Sequence, residues 1–195
     1  QRIDGFSFEL ANLMQSVRKA GMTLAPEAGS QRLRNVIKKN ISEEQIVNAA
    51  LTLYENGWSK LKFYFIAGLP TETPEDMDEM AELLGKIKYL AKQIKREKGL
   101  NYGFDITCTL SVFVPKPFTP FQWCPQTDME TIGEHINYLK EKTKHIKGLK
   151  IYLRNIIYKS KNSVNEVVVN KIEVNESKSK DEDKSNLSES EIKEI

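Results

Sequence analysis

The sequence predicts an α/β fold in which parallel strands alternate with helices. Three observations predict it. Short apolar runs alternate with stretches of helical period, capping residues precede the helical stretches, and a glycine- or proline-rich loop follows each of three strands. This spacing favours right-handed crossovers and a parallel sheet. The sheet could be doubly wound or part of a barrel, and in both folds functional groups gather at the carboxyl ends of the strands.

The first half of the chain supplies two helix–strand alternations. FELANLMQSVRKAG places its apolar residues on one helical face, MTLAPE is typical of a short strand, and SQRLRNVIKKN predicts a helix. Ser42 followed by Gln45 forms a capping box, which predicts the start of another helix. Gly57 ends that helix.

The second half repeats the pattern. KLKFYFIAG predicts a strand, and Thr73 with Pro74 predicts a helix start that has Thr as the N-cap and Pro at the first helical position. This helix is expected to run to about Lys98. FDITCTLSVFV is the third strand, Thr127 to Glu130 is a second capping box, METIGEHINYLKEKTKHI is a helix, and LKIYL is a candidate fourth strand.

Composition divides the chain into a folded domain, residues 1–155, and a charged tail, residues 156–195. No aromatic residue follows Ser160, and SKSKDEDKSNLSESEIKEI has too few apolar groups to offset its ordering entropy. The tail is therefore predicted to be disordered. Within it, VNEVVVNKIEV alternates weakly and is a marginal strand candidate.

Charge and cysteine content narrow the class of protein. The net charge is +2 over 195 residues, which gives no case for nucleic acid or an anionic membrane. No apolar run reaches the roughly 18 residues of a membrane helix, and no signal region is visible. Cys108 and Cys124 fit a reducing cytosol, so a cytoplasmic protein is predicted. Gln1 in place of Met suggests a fragment.

The three strand ends LAPEAGS, FIAGLPTE and FVPKPFTPFQW should lie at one edge of a parallel sheet, which suggests a shared site. Glu27 follows a proline, so we expect an extended chain that carries a carboxylate able to accept hydrogen bonds from vicinal hydroxyls. Glycines in the first two loops would let a ligand approach the backbone. The residues concerned are Gly29, Ser30, Gly68, Leu69 and Pro70, of which Ser30 can also cap a helix and Leu69 and Pro70 offer a flat apolar surface.

The third loop, FVPKPFTPFQW, has two interpretations. It is either a hydrophobic plug that closes a barrel or a stiff aromatic wall that faces a substrate. In the second interpretation Lys116 supplies a cation and Gln122 an amide, with Phe118 and Trp123 among the aromatic groups.

The remaining chemically active residues are expected to be structural. His135 and His145 are not at metal-ligand spacing and are interpreted as surface residues. Cys108 should be core packing, and Cys124 has no visible base to activate it. A basic cluster is interpreted as a solvated helix face, one member of which could reach a carboxylate ligand: Arg32, Arg34, Lys38 and Lys39.

At the three loops the sequence resembles the radical SAM superfamily, whose members cleave S-adenosylmethionine with an iron–sulfur cluster. LAPEAGSQRLRNVIKKNIS resembles its fourth-strand segment and FYFIAGLPTETPEDM its fifth-strand segment. FVPKPFTPFQW resembles the uncharacterised radical SAM proteins that carry an N-terminal cobalamin-binding-type domain. The resemblance covers roughly residues 2–152 and implies the later units of a partial (β/α)6 TIM-like barrel.

The resemblance also implies roles for the loops. Glu27 would bind the ribose of S-adenosylmethionine, Lys39 would meet its methionyl carboxylate, and Gly68, Leu69 and Pro70 would line its adenine. Lys116 and the neighbouring aromatic residues would face an unknown substrate. The catalytic residues are not identified by the resemblance, and cobalamin is left as a second cofactor of the longer protein.

One departure from the family pattern is decisive for the chain's own chemistry. The family holds a [4Fe–4S] cluster on a CxxxCxxC loop, which this sequence lacks, and two cysteines cannot supply three converging thiolates. The chain is therefore expected to be inactive by itself and to complement a missing N-terminal part of the same protein. A non-catalytic remnant and an unrelated nucleotide-binding parallel α/β enzyme are the alternatives.

Overall fold

A computed structural model describes residues 21–161 and 164–172, with side chains described up to residue 154. The helix predicted from FELANLMQSVRKAG and the predicted tail after residue 172 lie outside the described residues. In chain order the elements are β1 (Met22–Glu27), α1 (Gln31–Val36), α2 (Glu43–Glu55), β2 (Lys60–Ala67), α3 (Pro74–Glu97), β3 (Asp105–Val112), α4 (Met129–Thr143), β4 (Leu149–Lys161) and β5 (Val164–Ile172).

The described strands form one sheet in the order β1-β2-β3-β4-β5. The first four are parallel, and β5 pairs antiparallel with β4. Ala67 pairs with Val112, and Ser111 pairs with Arg154, so the carboxyl ends of β2 and β3 lie beside the middle of the long strand β4. The predicted α/β fold with parallel strands is confirmed, and it is compatible with part of a TIM-like barrel.

The main hydrophobic core lies between one face of the sheet and the helices. Alternate residues of β1, β2 and β3 are buried there, in keeping with the period of two along a strand. The apolar faces of α2, α3 and α4 cover them. Prominent members of this core are Leu24, Leu53, Phe63, Phe65, Met80, Leu83, Ile106, Leu110 and Ile136.

β1 ends in a bulge. The pairing with β2 shifts register between Leu24 and Glu27, because two residues of β2 lie opposite three of β1. Pro26 has no N–H to donate to the sheet, which accounts for the irregularity at this point. Glu27 then has φ +68°, so the expectation that it is extended is wrong.

The helix starts follow from local sequence, with one exception. Ser42 and Gln45 form the predicted capping box of α2, and Thr73 is the N-cap of α3. The N-cap of α4 is Asp128, whose carboxylate accepts a hydrogen bond from the Thr131 backbone N–H at 2.8 Å. The capping box predicted at Thr127 is wrong, because the neighbouring carboxylate is also a strong cap.

The end of the sheet differs from the sequence-based expectation. LKIYL begins β4, which continues to Lys161, and the weakly alternating VNEVVVNKI forms β5. Residues 156–161 and 164–172, assigned to the tail from composition, are therefore strands. The two strands exchange backbone hydrogen bonds over nine paired positions. This pairing uses backbone groups, which an assignment from composition does not take into account.

Candidate functional site

The three predicted loops meet at one edge of the sheet. A small apolar cluster joins Ala28 after β1, Leu69 after β2 and Phe113 after β3, and Leu33 of α1 completes it. All four side chains are buried. The loops are therefore neighbours in space, as parallel strands require.

Glu27 and Lys39 form an accessible charged pair on the first loop. Lys39 Nζ lies 3.4 Å from Glu27 Oε1, and about a third of each side chain is exposed. Such a half-exposed pair contributes little to stability, about 0–1 kcal/mol. Both groups therefore remain available to a ligand. The left-handed backbone of Glu27, at the bulge of β1, holds the carboxylate at the sheet edge in a conformation uncommon for residues other than glycine.

Gly29 and Ser30 are occupied by contacts within the protein. A Cβ added at Gly29 would lie 2.7 Å from the Cα of Met80, so the absence of a side chain lets the loop pack directly on α3. The buried Ser30 hydroxyl accepts a hydrogen bond from the Leu33 N–H at 3.1 Å, which confirms it as a helix cap. It also donates to Asp76 Oδ1 at 2.5 Å. Cofactor-binding roles for Gly29 and Ser30 stay predictions.

Arg34 does not belong to a solvated face. It is buried, and its guanidinium donates hydrogen bonds to the backbone oxygens of Ala28 (3.1 Å), Gly29 (2.6 Å) and Ile41 (3.1 Å). Burial lowers the pKa of this side chain, although Glu43 and Glu79 act in the opposite sense. The sequence-based interpretation was wrong here because helical spacing does not reveal that the preceding loop folds back over this residue.

Gly68 is fixed by hydrogen bonds on both sides of its peptide. Its φ is +74°, its N–H donates to Glu72 Oε1 at 2.9 Å, and its carbonyl accepts from the Thr127 hydroxyl at 3.3 Å. Leu69 is buried in the loop cluster, whereas Pro70 is half-buried. Of the predicted adenine-lining residues, Pro70 is thus the one with exposed surface, and the binding roles of all three stay predictions.

Glu72 and His135 form a partly buried pair between the second loop and α4. His135 Nδ1 lies 3.0 Å from Glu72 Oε1, and the two side chains are 18% and 2% exposed. Glu72 Oε2 is buried with no hydrogen-bond partner in the described part of the chain. His135 is therefore not a simple surface residue, and its interpretation from spacing was wrong. His145 is exposed, as predicted.

The third loop combines both sequence-based interpretations. Phe113 and Phe121 form an edge-to-face pair with ring centroids 6.1 Å apart, and Phe113 is buried. Phe118 and Trp123 are 97% and 88% exposed. The loop thus has an apolar anchor that packs on the other loops and two aromatic groups that project into solvent.

Hydrogen bonds hold the exposed part of this loop in one conformation. The Phe118 N–H donates to Gln122 Oε1 at 3.1 Å, and the Thr119 hydroxyl donates to the Lys116 carbonyl at 2.7 Å. The Gln122 amide oxygen is therefore used within the loop. Lys116 is exposed, and the substrate-side roles of Lys116, Phe118, Gln122 and Trp123 stay predictions.

The described residues do not fit an iron–sulfur cluster. Cys108 is fully buried within β3, where burial raises the pKa of its thiol. Cys124 is half-buried against the loop cluster, in line with a structural role. In the part of the chain that the structure describes, no grouping of His, Cys, Asp and Glu could hold a metal ion. No described helix is long and apolar enough to span a membrane.

Sequence reasoning missed the polar face of the sheet. Tyr64, Thr109 and Tyr152 lie side by side on neighbouring strands, on the face opposite the main core, and Ser111 lies beside Arg154 nearer the loops. None of the five is buried. The signal was present as the alternate residues of each strand, but it could be assigned to a shared face only once the register was known.

Comparison with known proteins bears on the first two loops. Residues 2–84 match the family model of the radical SAM superfamily. The matched stretch contains β1, β2 and the loops that carry Glu27, Lys39 and Gly68. The match covers less than half of the chain.

A relative of unknown function extends the comparison. An uncharacterised protein of Methanocaldococcus jannaschii is 39% identical over 111 residues, which is 57% of this chain. The chain spans 22% of the length of that relative.

Proposed function

We propose that this chain supplies the S-adenosylmethionine-binding and substrate-side loops of a radical SAM enzyme. The observation that carries the proposal is the meeting of three loops in one apolar cluster, two of them within the stretch that matches the radical SAM superfamily. The fold alone would not require the accessible Glu27–Lys39 pair at the same edge of the sheet. That pair has the chemistry needed for a nucleoside with an amino acid attached.

The donor and acceptor types fit S-adenosylmethionine. The Glu27 carboxylate can accept hydrogen bonds from the two ribose hydroxyls, and the Lys39 ammonium can bind the methionyl carboxylate. Pro70 can contact the adenine. Gly68 and Leu69 hold the Pro70 loop in place through their contacts within the protein. When bound, S-adenosylmethionine would supply the 5′-deoxyadenosyl group with which radical SAM enzymes abstract hydrogen from a substrate.

The electron source lies outside this chain in the proposal. The sequence has two cysteines, one fully buried, so the proposal places the [4Fe–4S] ligands in an N-terminal part of a longer protein. We also propose a cobalamin-binding-type domain in that part. The support for this domain is the resemblance of FVPKPFTPFQW to the radical SAM proteins that carry one.

The third loop and the polar sheet face would border the substrate. Phe118 and Trp123 offer exposed aromatic surface, and Lys116 and Arg154 offer cations at the same end of the sheet. The alternatives named from the sequence differ in their expected binding. A non-catalytic remnant should bind no S-adenosylmethionine, and an unrelated nucleotide enzyme should prefer a phosphorylated ligand.

The first prediction concerns Glu27 and Lys39 in the full-length protein. Glu27→Ala should lower the affinity for both adenosine and S-adenosylmethionine by about tenfold or more. The reason is that a hydrogen bond to a charged group contributes about 1.5–3 kcal/mol. Lys39→Met should lower the affinity for S-adenosylmethionine but leave the affinity for adenosine within about twofold of the wild type, since adenosine has no carboxylate. Isothermal titration calorimetry measures all four dissociation constants.

Two control variants match these changes. Glu97→Ala removes an exposed carboxylate at the far end of α3, and Lys38→Met removes the exposed ammonium next to Lys39. Both should bind as the wild type does. Unchanged affinity in Glu27→Ala would remove Glu27 from the site, and a wild type that binds neither ligand would overturn the proposed function.

A further inference from the structure

Asp76, at the third position of α3, is a buried carboxylate that joins two of the loops. Its side chain is 2% exposed. Oδ1 accepts hydrogen bonds from the Ser30 hydroxyl at 2.5 Å and from Arg32 Nε at 3.2 Å. Oδ2 accepts from Arg32 Nη2 and from the Thr73 backbone N–H, the latter at 2.8 Å. Oδ1 therefore bonds only the segment Ser30–Arg32, whereas Oδ2 bonds that segment and also the start of α3.

Arg32 extends this connection to the loop after β2. Its Nη2 donates to the Thr71 carbonyl at 2.6 Å, and its Nη1 donates to the Thr71 hydroxyl at 3.2 Å. Thr71 has φ +70°, a conformation uncommon for residues other than glycine. Arg32 is exposed, in line with the expected solvated face, but its guanidinium also bonds Asp76 on one side and Thr71 on the other, which the sequence pattern did not predict.

Helix capping accounts for part of this arrangement. An acidic residue at the third helical position commonly accepts from the N-cap backbone, as Asp76 does from Thr73. Capping does not require Ser30 or Arg32, which lie 46 and 44 residues earlier in the chain. Those two contacts connect different loops, and their function has to be sought in the relative position of the loops.

The charge state of Asp76 agrees with a permanent contact. Burial opposes its ionisation, but the hydrogen bonds from Arg32, Ser30 and the Thr73 backbone together outweigh burial and lower its pKa. The carboxylate is therefore ionised at neutral pH. Asp76 is buried whereas the Arg32 side chain is 45% exposed, so loss of Arg32 would take hydrogen bonds from a carboxylate that water reaches poorly.

We propose that Asp76 is a positioning residue, which together with Ser30 and Arg32 holds the loop after β1 at a fixed distance from the loop after β2. The inference rests on the proposed function, since the two loops carry Glu27 and Pro70. Asp76 would not touch the ligand. It would set the spacing between the group that accepts from the ribose and the surface that contacts the adenine, so that both act on one molecule.

The experiment compares Asp76→Asn with Asp78→Asn in the full-length protein. Asp78 is a matched control, since it is two residues along the same helix and also lies in an ion pair, with Lys142 at 3.0 Å. Amide hydrogen exchange in residues 28–34 and 71–74 reports the loops, and calorimetry reports the affinity for S-adenosylmethionine. Both are measured at a temperature where circular dichroism shows each variant fully folded.

We expect Asp76→Asn to increase amide hydrogen exchange in both loops and to lower the affinity for S-adenosylmethionine about tenfold. The affinity for adenosine should also fall in this variant, because adenosine is proposed to bind to the same two loops. Asp78→Asn should alter neither measurement by more than about twofold. Ser30→Ala and Arg32→Gln should reproduce the effects, and they replace Asp76→Asn as the deciding variants if that protein does not fold.

Two results would overturn the inference. One is unchanged exchange in both loops, which would mean that Asp76 does not hold them. The other is faster exchange with unchanged affinity, which would mean that the contact stabilises the fold without positioning the site. If the wild-type protein fails to bind S-adenosylmethionine, the proposed function is overturned instead. The positioning role, which rests on that function, is then removed as well. Hydrogen exchange still reports whether Asp76 holds the two loops.

Discussion

At the residue scale, the most informative positions are those where the side chain or backbone departs from its usual behaviour. Glu27 has a left-handed backbone conformation at a bulge, and Gly68 and Thr71 have the same conformation in the loop after β2. Uncommon backbone conformations cost about 1–3 kcal/mol for residues other than glycine and persist only where surrounding contacts enforce them. Their concentration at one edge of the sheet agrees with a site there.

Gly29 gives a prediction at this scale. Gly29→Ala should lower the free energy of unfolding by about 1–3 kcal/mol, because the new methyl group would overlap Met80 at the surface of α3. Urea unfolding of the full-length protein, with the slope held in common, measures the difference.

The control for this change is Gly133→Ala. Gly133 lies within α4, and an added Cβ there meets no atom within 4 Å. Alanine should raise stability by about 0.5–1 kcal/mol, since glycine is unfavourable inside a helix. If Gly29→Ala were as stable as the wild type, the close packing of the first loop on α3 would be incorrect.

At the element scale, α4 does more than cover the sheet. His135 contacts Glu72 in the loop after β2, and the Thr127 hydroxyl, just before α4, donates to the Gly68 carbonyl. The helix thereby fixes the second loop from the side of the third strand, as Arg32 and Asp76 fix it from the side of the first. The second loop is held from both directions.

The prediction at this scale is the loss of the His135 contact. His135→Ala should reduce stability by about 1–3 kcal/mol, because the buried Glu72 carboxylate loses a hydrogen-bond partner and its second oxygen already lacks one. Thermal unfolding of the full-length protein measures the change. His145→Ala, at an exposed position after α4, should be neutral within about 0.5 kcal/mol. Equal effects of the two changes would contradict the contact.

At the scale of the whole molecule, the described sheet is open at β1. Within the described residues β1 pairs with β2, and no strand lies along its other edge. A parallel strand with an apolar face and an unpaired edge is a template for association. In the proposed full-length protein, earlier units of the barrel would cover this edge.

We therefore expect the 195-residue chain alone to self-associate or to unfold without a sharp transition. Sedimentation velocity over a range of concentrations, with thermal unfolding by circular dichroism, tests this. The full-length protein at the same concentrations is the control and should remain a single species. A monomeric chain with a sharp, cooperative transition would contradict the expectation.

The sequence by itself determined the elements and their order. Apolar periodicity, the Ser42 and Thr73 caps and the loops after three strands are short-range signals, and they predicted the α/β fold and the shared edge of the loops. Composition failed for residues 156–161 and 164–172, because the pairing of β4 with β5 uses backbone groups that composition does not describe.

The tertiary structure alone decided how the polar residues are used. Arg32, Arg34 and His135 look like surface positions in a linear pattern, yet each meets partners supplied by another loop or helix. Asp76 is paired with residues 44 and 46 positions away. The physical reason is that a buried polar group must find its partners in three dimensions, and no local period records where they are.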